Sequence, residues 1–304
     1  MKKCVVLFSG GLDSRLAVKI MQEQNFEVTA LFFKLAFGCS FEKDVKNFIK
    51  ENKCNLKTFD CTRGKLLQEY LECIKKPKYG RGAGINPCVD CKIFMFKKAK
   101  EFADKKKIDL VVSGEVLGER PMSQMKKAMD LIEEKSGLKE MLLRPLCAKL
   151  LPETIAEKKS LVKRKKLYDI QGRKRDKQIA LAKKFKIEFP HPAGGCLLCE
   201  KTLKNRFKFL VEKGMNDYEI KLVGIGRHFF INNSWIVLGR NKKENQIIEK
   251  IGGEIGELII PDIIGPSALI IGGKNIKSIV KDLIKVYSKK GSLKERKEFE
   301  KYRL

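Results

Sequence analysis

Three short groups of residues in this 304-residue chain have types and spacings that could do chemistry. The first is Ser9-Gly10-Gly11-Leu12-Asp13-Ser14, which directly follows the apolar run Val5-Val6-Leu7-Phe8. Two glycines let a chain leaving a buried strand turn tightly, so that its N–H groups can face an anion. Asp13, Ser14 and the amphipathic stretch Arg15 to Gln22 then open a helix whose positive dipole end points at the same spot. Such a loop holds phosphate. It lacks the lysine of a Walker A loop and the third glycine of a dinucleotide fingerprint, so neither of those motifs is present.

The other two groups are cysteine pairs. Asn86-Pro87-Cys88-Val89-Asp90-Cys91-Lys92 puts two thiols three apart at a helix start, where both sulfurs can face one spot. The helix N-terminus and the nearby lysines predict lowered thiol pKa values and thiolate character. Cys196-Leu197-Leu198-Cys199 follows Gly194-Gly195, about a hundred residues downstream. The two pairs leave three readings open. One is a four-cysteine zinc site, which normally keeps its motifs closer in sequence. Another is a redox pair at Cys88 and Cys91 alone. The third is an iron–sulfur cluster held by three cysteines, with one iron position open. Without a cluster, Cys196 or Cys199 could hold a persulfide that Cys91 resolves. Cys4, Cys39, Cys54, Cys61, Cys73 and Cys147 lie in or near apolar runs and are expected to pack in the core. His191 precedes a proline close to the second pair, where a loop-structural role and an acid–base role are equally open. His228 falls in an expected strand and is read as structural or RNA-facing.

The charge balance bears on the partner. There are 65 Lys and Arg against 37 Asp and Glu, a net charge of +28. A small phosphate ligand needs no such excess, whereas a polyanion does, because each neutralised phosphate releases counterions. The segment from Lys158 to Lys177 carries ten Lys or Arg and two acids, and Arg173 and Arg175 are candidates for phosphate contact. No apolar stretch reaches the ~18 residues of a membrane span. Met1-Lys2-Lys3 runs straight into the first core strand, so no signal peptide and a cytoplasmic location are expected. Ten cysteines in such a chain point to metal ligands, catalytic thiols or core residues rather than disulfides.

The elements that must position these residues alternate. Strands are expected at Val5–Phe8, Val28–Phe33, Leu56–Phe59 and Leu110–Val112, and helices at 15–22, 41–51, 66–74 and 94–107. That alternation predicts an α/β fold, a doubly wound parallel sheet with ligands at the carboxyl ends of its strands. After Glu200 the pattern changes to a hairpin across Asn232-Asn233, a helix from Glu244 stopping at Gly252, a strand at 268–271 and an amphipathic helix at 276–287. The expected division is therefore residues 1–200 and a smaller α+β domain at 201–304.

The Ser9–Ser14 loop resembles that of the PP-loop (N-type) ATP pyrophosphatases, which split ATP between the α and β phosphates to activate a carbonyl oxygen. Ser113-Gly114-Glu115-Val116-Leu117-Gly118-Glu119-Arg120 resembles a segment of tRNA 4-thiouridine synthetase, and Leu143-Arg144-Pro145-Leu146 occurs in that family at a similar distance downstream. Asn86–Lys92 resembles a motif of the tRNA 2-thiouridylases, and Cys196–Cys199 sits near their downstream catalytic cysteine. The resemblance covers about residues 1–200. It implies ATP held by Ser9, Gly10, Gly11, Leu12, Asp13, Ser14, Phe33, Ser113 and Gly114, with Asp13 helping to position Mg²⁺. It implies catalytic roles for Asp13, Cys88, Cys91, Cys196 and Cys199, and favours a [4Fe-4S] cluster on Cys88, Cys91 and one of the downstream pair. Zn²⁺, or a persulfide with no metal, are the alternatives.

The implied activity is ATP-dependent tRNA sulfur transfer, with sulfide or a cysteine desulfurase as sulfur donor. A tRNA thiouridine desulfidase would need the cysteines but no ATP, and a non-catalytic RNA-binding translation factor would need neither cysteine pair. The chain departs from those families in showing no THUMP-type or rhodanese domain and no 2-thiouridylase β-barrel. Trp235–Asn245 and Ile264-Gly265-Pro266-Ser267 resemble instead the small RNA-binding domain of the NFACT ribosome-quality-control proteins.

Overall fold

The computed structural model describes residues 2–38, 42–189, 195–273, 275–288 and 291–304. Cys39, His191 and Gly194 lie outside the described residues. The chain divides into two compact units, Met1–Cys199 and Glu200–Leu304.

The first unit runs β1 (Lys2–Phe8), α1 (Leu12–Gln22), β2 (Phe26–Leu35), α2 (Glu42–Glu51), β3 (Asn55–Cys61), α3 (Gly64–Lys75), α4 (Cys88–Lys105), β4 (Val111–Ser113), α5 (Lys126–Ser136), β5 (Leu142–Leu143), α6 (Ile155–Lys158) and α7 (Asp176–Lys184). Its five strands are all parallel, in the order β3-β2-β1-β4-β5. Side chains alternate across β1. Cys4, Val6 and Phe8 join a core with Leu16, Met21 and Phe48, while Val5 joins a second core with Val89, Ile93, Phe96 and Ile132. A strand buried on both faces must be apolar throughout, which is why Val5–Phe8 shows no polar alternation. The chain winds outward from β1 to β3 and then crosses back to β4. The strand order reverses between β1 and β4, the switch point at whose carboxyl ends sheets of this kind take their ligands.

The second unit continues with α8 (Lys204–Lys213), α9 (Asp217–Leu222), β6 (Arg227–Ile231), β7 (Ser234–Leu238), α10 (Lys242–Ile255), β8 (Glu257–Ile259), β9 (Ala268–Ile271), α11 (Lys277–Tyr287) and α12 (Leu293–Glu300). Its antiparallel sheet has the order β6-β7-β9-β8. The β6–β7 turn is made by Asn232 and Asn233, both at positive φ (47° and 58°), as a tight hairpin demands. Phe229, Ile236, Leu238 and Ile270 pack on Val280, Leu283 and Ile284 of α11. His228 is fully buried rather than RNA-facing.

Two boundaries differ from expectation. Helix α4 begins at Cys88, where the cysteine spacing expects a helix start and six residues before the Phe94 bound of the expected helix, because Pro87 serves as its N-cap residue and the cysteines form its first turn. Helix α10 passes through Gly252 to Ile255. A Cβ on Gly252 would lie 3.1 Å from a Leu258 methyl, so this glycine provides close helix–sheet contact rather than a stop.

Candidate active site

The phosphate-type loop lies at the switch point between β1 and β4. Gly10 sits at φ 82°, a left-handed conformation that glycine adopts without strain. Gly11 is the N-cap residue of α1, and no side chain caps the helix there. The loop is held from its inner side. Ser14 Oγ donates to the Gly11 carbonyl at 2.8 Å, and Arg15 Nε donates to the Gly10 carbonyl at 2.7 Å. Arg15 also reaches the Glu188 carbonyl (2.7 Å) and lies over the Phe48 ring. With the carbonyls engaged, the first-turn N–H groups remain for an anion. From the β4 side, a Cβ on Gly114 would lie 2.5 Å from the Asp13 carbonyl carbon and oxygen. No residue but glycine lets the end of β4 approach the loop this closely. Ser113 beside it is buried, its Oγ accepting from Glu115 N at 3.1 Å. Phe33, near the end of β2, is half-buried and stacks on Phe59 with ring centroids 4.7 Å apart.

Asp13 sits in a cluster that the sequence did not announce. Its Oδ2 accepts from Arg175 at 3.1 Å, and Arg175 Nε lies 3.7 Å from Glu119. Asp13 Oδ1 is buried with no partner among the described residues. Burial raises the pKa of Asp13 despite the opposing pull of Arg175, and burial together with the Asp13 charge raises that of Glu119. Two carboxyl groups thus share one guanidinium, and a further cation would be favoured there. That donor set fits the magnesium ion of a bound nucleotide. Arg175, a candidate for phosphate contact by sequence, is half-buried against the loop in the fold.

The two cysteine pairs meet. The Ile85 N–H donates to the Leu198 carbonyl (3.0 Å) and the Leu197 N–H to the Phe37 carbonyl (2.9 Å). A Cβ on Gly84 would lie 2.2 Å from that Leu198 carbonyl, so Gly84 is a second position of enforced close approach. Cys199 Sγ interacts with both Cys88 and Cys196, and Asn86 Nδ2 donates to Cys88 Sγ at 3.1 Å. Cys91, in the first turn of α4, is close enough to Cys88, Cys73 and Cys61 for their charges to interact. The expected thiolates are not found. Burial raises Cys88 and Cys91, and the bond to Cys199 followed by burial raises Cys196. Desolvation here outweighs the helix end and Lys92. No three His, Cys, Asp or Glu side chains are arranged to hold a metal ion among the described residues. The pairs are juxtaposed thiols, with burial disfavouring the thiolate at Cys88, Cys91 and Cys196; they are chemically suited to sulfur or a soft metal, and no metal cage is preformed among the described residues. Cys61 and Cys73, expected to be ordinary core residues, belong to the same neighbourhood.

An ion network ties the loop side to the thiol side. Lys92, next to Cys91, bonds Glu115, which follows Gly114. Arg144 Nε donates to the same carboxylate at 2.8 Å and its guanidinium also pairs with Glu133. Burial alone would raise the Glu115 pKa, but Lys92 and Arg144 together hold it down at about 2. Glu115, Arg144, Lys92 and Glu119 were missed as individual residues, although all four lie within the short segments already singled out. The signal that could have found them is a charged residue at the end of an apolar strand or beside a cysteine pair.

A protein-family model described as "Thiamine biosynthesis protein (ThiI)" matches residues 1–188. Among curated proteins, the tRNA-specific 2-thiouridylase MnmA of Petrotoga mobilis is 30% identical over 136 residues, which is 38% of this chain and 36% of that protein. The protein of the same name from a Nitratiruptor species is 30% identical over 116 residues, 37% of this chain and 34% of that one. The chain therefore spans about a third of the length of these relatives. A solved chain from Methanocaldococcus jannaschii, titled a predicted subunit of tRNA methyltransferase, is 18% identical and covers 48% of this chain and 68% of its own. The TM-score of that match is 0.32.

Proposed function

Because the chain belongs to the ThiI family through residues 1–188, we propose that it is an ATP-dependent tRNA sulfurtransferase, which replaces a pyrimidine carbonyl oxygen with sulfur. The observation carrying this proposal is the meeting of two distant cysteine pairs, joined through Lys92 and Glu115 to the Gly114 that packs on the phosphate-type loop. The matched 2-thiouridylases act on tRNA by name, and the +28 charge suits a polyanion.

In this proposal ATP lies with its pyrophosphate on the amides of Ser9–Ser14 and its adenine by Phe33. Asp13 and Glu119 would hold Mg²⁺, which would supply positive charge to offset that of the phosphates. The carbonyl oxygen of an unstacked pyrimidine attacks the α-phosphate, and pyrophosphate leaves. The loop amides stabilise the charge that develops on the phosphate oxygens. Sulfur then attacks the activated ring carbon, and AMP departs with the former carbonyl oxygen. If the sulfur is carried as a persulfide on Cys196 or Cys199, Cys91 attacks the S–S bond to free the thiolated base. The resulting disulfide takes two electrons from an external thiol before the next turnover. If an iron–sulfur cluster is carried instead, Cys88, Cys91 and one of Cys196 and Cys199 would hold it, and it would supply an open site for hydrosulfide. The Lys158–Lys177 segment and the second unit supply contacts that position RNA without reading sequence. A cytoplasmic location accords with this substrate.

The deciding experiment compares thionucleosides in tRNA from cells with and without the gene by mass spectrometry. Loss of one species is expected, restored by the wild-type chain but not by Asp13→Ala. A rise in a species would instead establish desulfuration, and no change in any of them would end the tRNA thiolation proposal.

A further inference from the structure

Tyr70 lies in the middle of α3, fully buried, with its ring between Phe37 (centroids 6.2 Å apart) and Phe94 (6.3 Å). Its hydroxyl is also buried and has no hydrogen-bond partner among the described residues. A phenylalanine would fill the same space without the cost of a desolvated, unpaired hydroxyl. The carbonyl of Phe37 accepts the Leu197 N–H of the downstream pair (2.9 Å), and Phe94 follows Cys91 by one turn of α4. The two rings that hold Tyr70 thus come from beside both cysteine pairs, and the charges of Cys91, Cys196, Cys61 and Cys73 would reach its hydroxyl. The unpaired donor therefore sits where the upstream and downstream cysteine pairs meet. Neutral thiols are weak acceptors, whereas a sulfur anion accepts strongly.

We propose that Tyr70 is a positioning residue for the sulfur to be transferred, its hydroxyl donating a hydrogen bond to a sulfur anion held on the Cys91–Cys196 side of the thiol cluster. The acceptor is either the terminal sulfur of a cysteine persulfide or a sulfide of an iron–sulfur cluster, and the hydroxyl recognises the same soft anion in both. The inference rests on the sulfurtransferase proposal, but its test reads the loaded sulfur directly.

The test compares the full chain with its Tyr70→Phe variant, which retains the ring packing. Each is treated anaerobically with inorganic polysulfide, and the persulfide is followed by alkylation and mass spectrometry. Each is separately treated with ferrous iron and sulfide, then read by visible absorption and midpoint potential. A persulfide acceptor predicts about tenfold faster persulfide loss in the variant, the effect of removing one hydrogen bond to an anion. A cluster acceptor predicts a more negative potential in the variant, because hydrogen bonds to the sulfurs tune cluster potential. In either case the melting temperature should be unchanged or higher, and kcat for thiolation should fall while KM for ATP stays constant. The proposal is overturned if the variant matches wild type in the form that loads, or if the wild type loads in neither form. A Tyr70 effect on loaded sulfur without any change in tRNA thionucleosides would retire the tRNA thiolation proposal alone.

Discussion

Gly114 has no side chain, and its contribution to the site comes from that absence. The space its Cβ would take is occupied by the backbone of Asp13 and Ser14 at 2.5–2.7 Å, and backbone cannot rotate away as a side chain can. Gly114→Ala is therefore expected to displace the loop. Calorimetric titration should show ATP binding weakened by at least about tenfold, roughly the strain of one severe overlap, with far-ultraviolet circular dichroism little changed. Wild-type ATP affinity in this variant would mean that the loop adjusts freely or that ATP binds elsewhere. At this scale the sequence was informative about residue type and silent about partners. The Ser9–Ser14 loop was legible because strand, glycines and helix are contiguous. The pairing of Asp13 with Arg175 joins residues 162 positions apart, and nothing local in either one signals it. Thiol ionisation was misjudged for a related reason. Proximity to a helix start can be read from sequence, but the burial that outweighs it is set by segments distant in the chain.

Among the elements, the β6–β7 hairpin carries a second buried polar group with a definite protonation state. His228 Nε2 faces the carbonyls of Leu222 (3.1 Å) and Ile225 (2.7 Å), which only accept, so this nitrogen bears the proton. Nδ1 faces the Trp235 indole N–H at 3.2 Å, which only donates, so Nδ1 is bare. Protonating Nδ1 would oppose the indole donor, and burial followed by the nearby Arg206 charge lowers the pKa from 6.5 to about 3. Between those values the unfolded chain binds a proton that the folded chain refuses. The stabilisation from neutral His228 is thus complete above about pH 6.5 and is lost as pH falls towards 3, at up to about 1.4 kcal/mol per pH unit. Urea midpoints of the second unit should fall from about pH 6 to about pH 4, and His228→Phe should flatten that slope even though it lowers overall stability. An identical slope in the variant would assign the acid sensitivity to other groups. This hairpin was predicted from Asn232-Asn233 between apolar runs, but the strand reading left His228 structural or RNA-facing, since β-periodicity gives a face and not a depth. The short β5 and β8 were not anticipated. Two or three residues leave no periodic signature, and they become strands only through neighbours already in the sheet.

For the molecule as a whole, the alternation of strands and helices was enough to predict a parallel sheet, and the reversal between β1 and β4 locates its switch point. The surplus charge was legible as a number, but its allocation required the fold. Within Lys158–Lys177, Arg164 donates to Glu157 and to the carbonyls of Ala148 and Leu151, and so serves the interior. Arg173 and Lys174 are exposed, and the next residue, Arg175, grips Asp13. The segment proposed to contact RNA is thereby fastened at one end to the loop proposed for ATP. If RNA binds Arg173 and Lys174 as proposed and thereby shifts Arg175, the change reaches Asp13, and the two ligands are then thermodynamically coupled. ATP must alter tRNA affinity by the same factor by which tRNA alters ATP affinity. Titrating each ligand with and without the other should give equal factors different from one, and Arg175→Gln should bring both to unity.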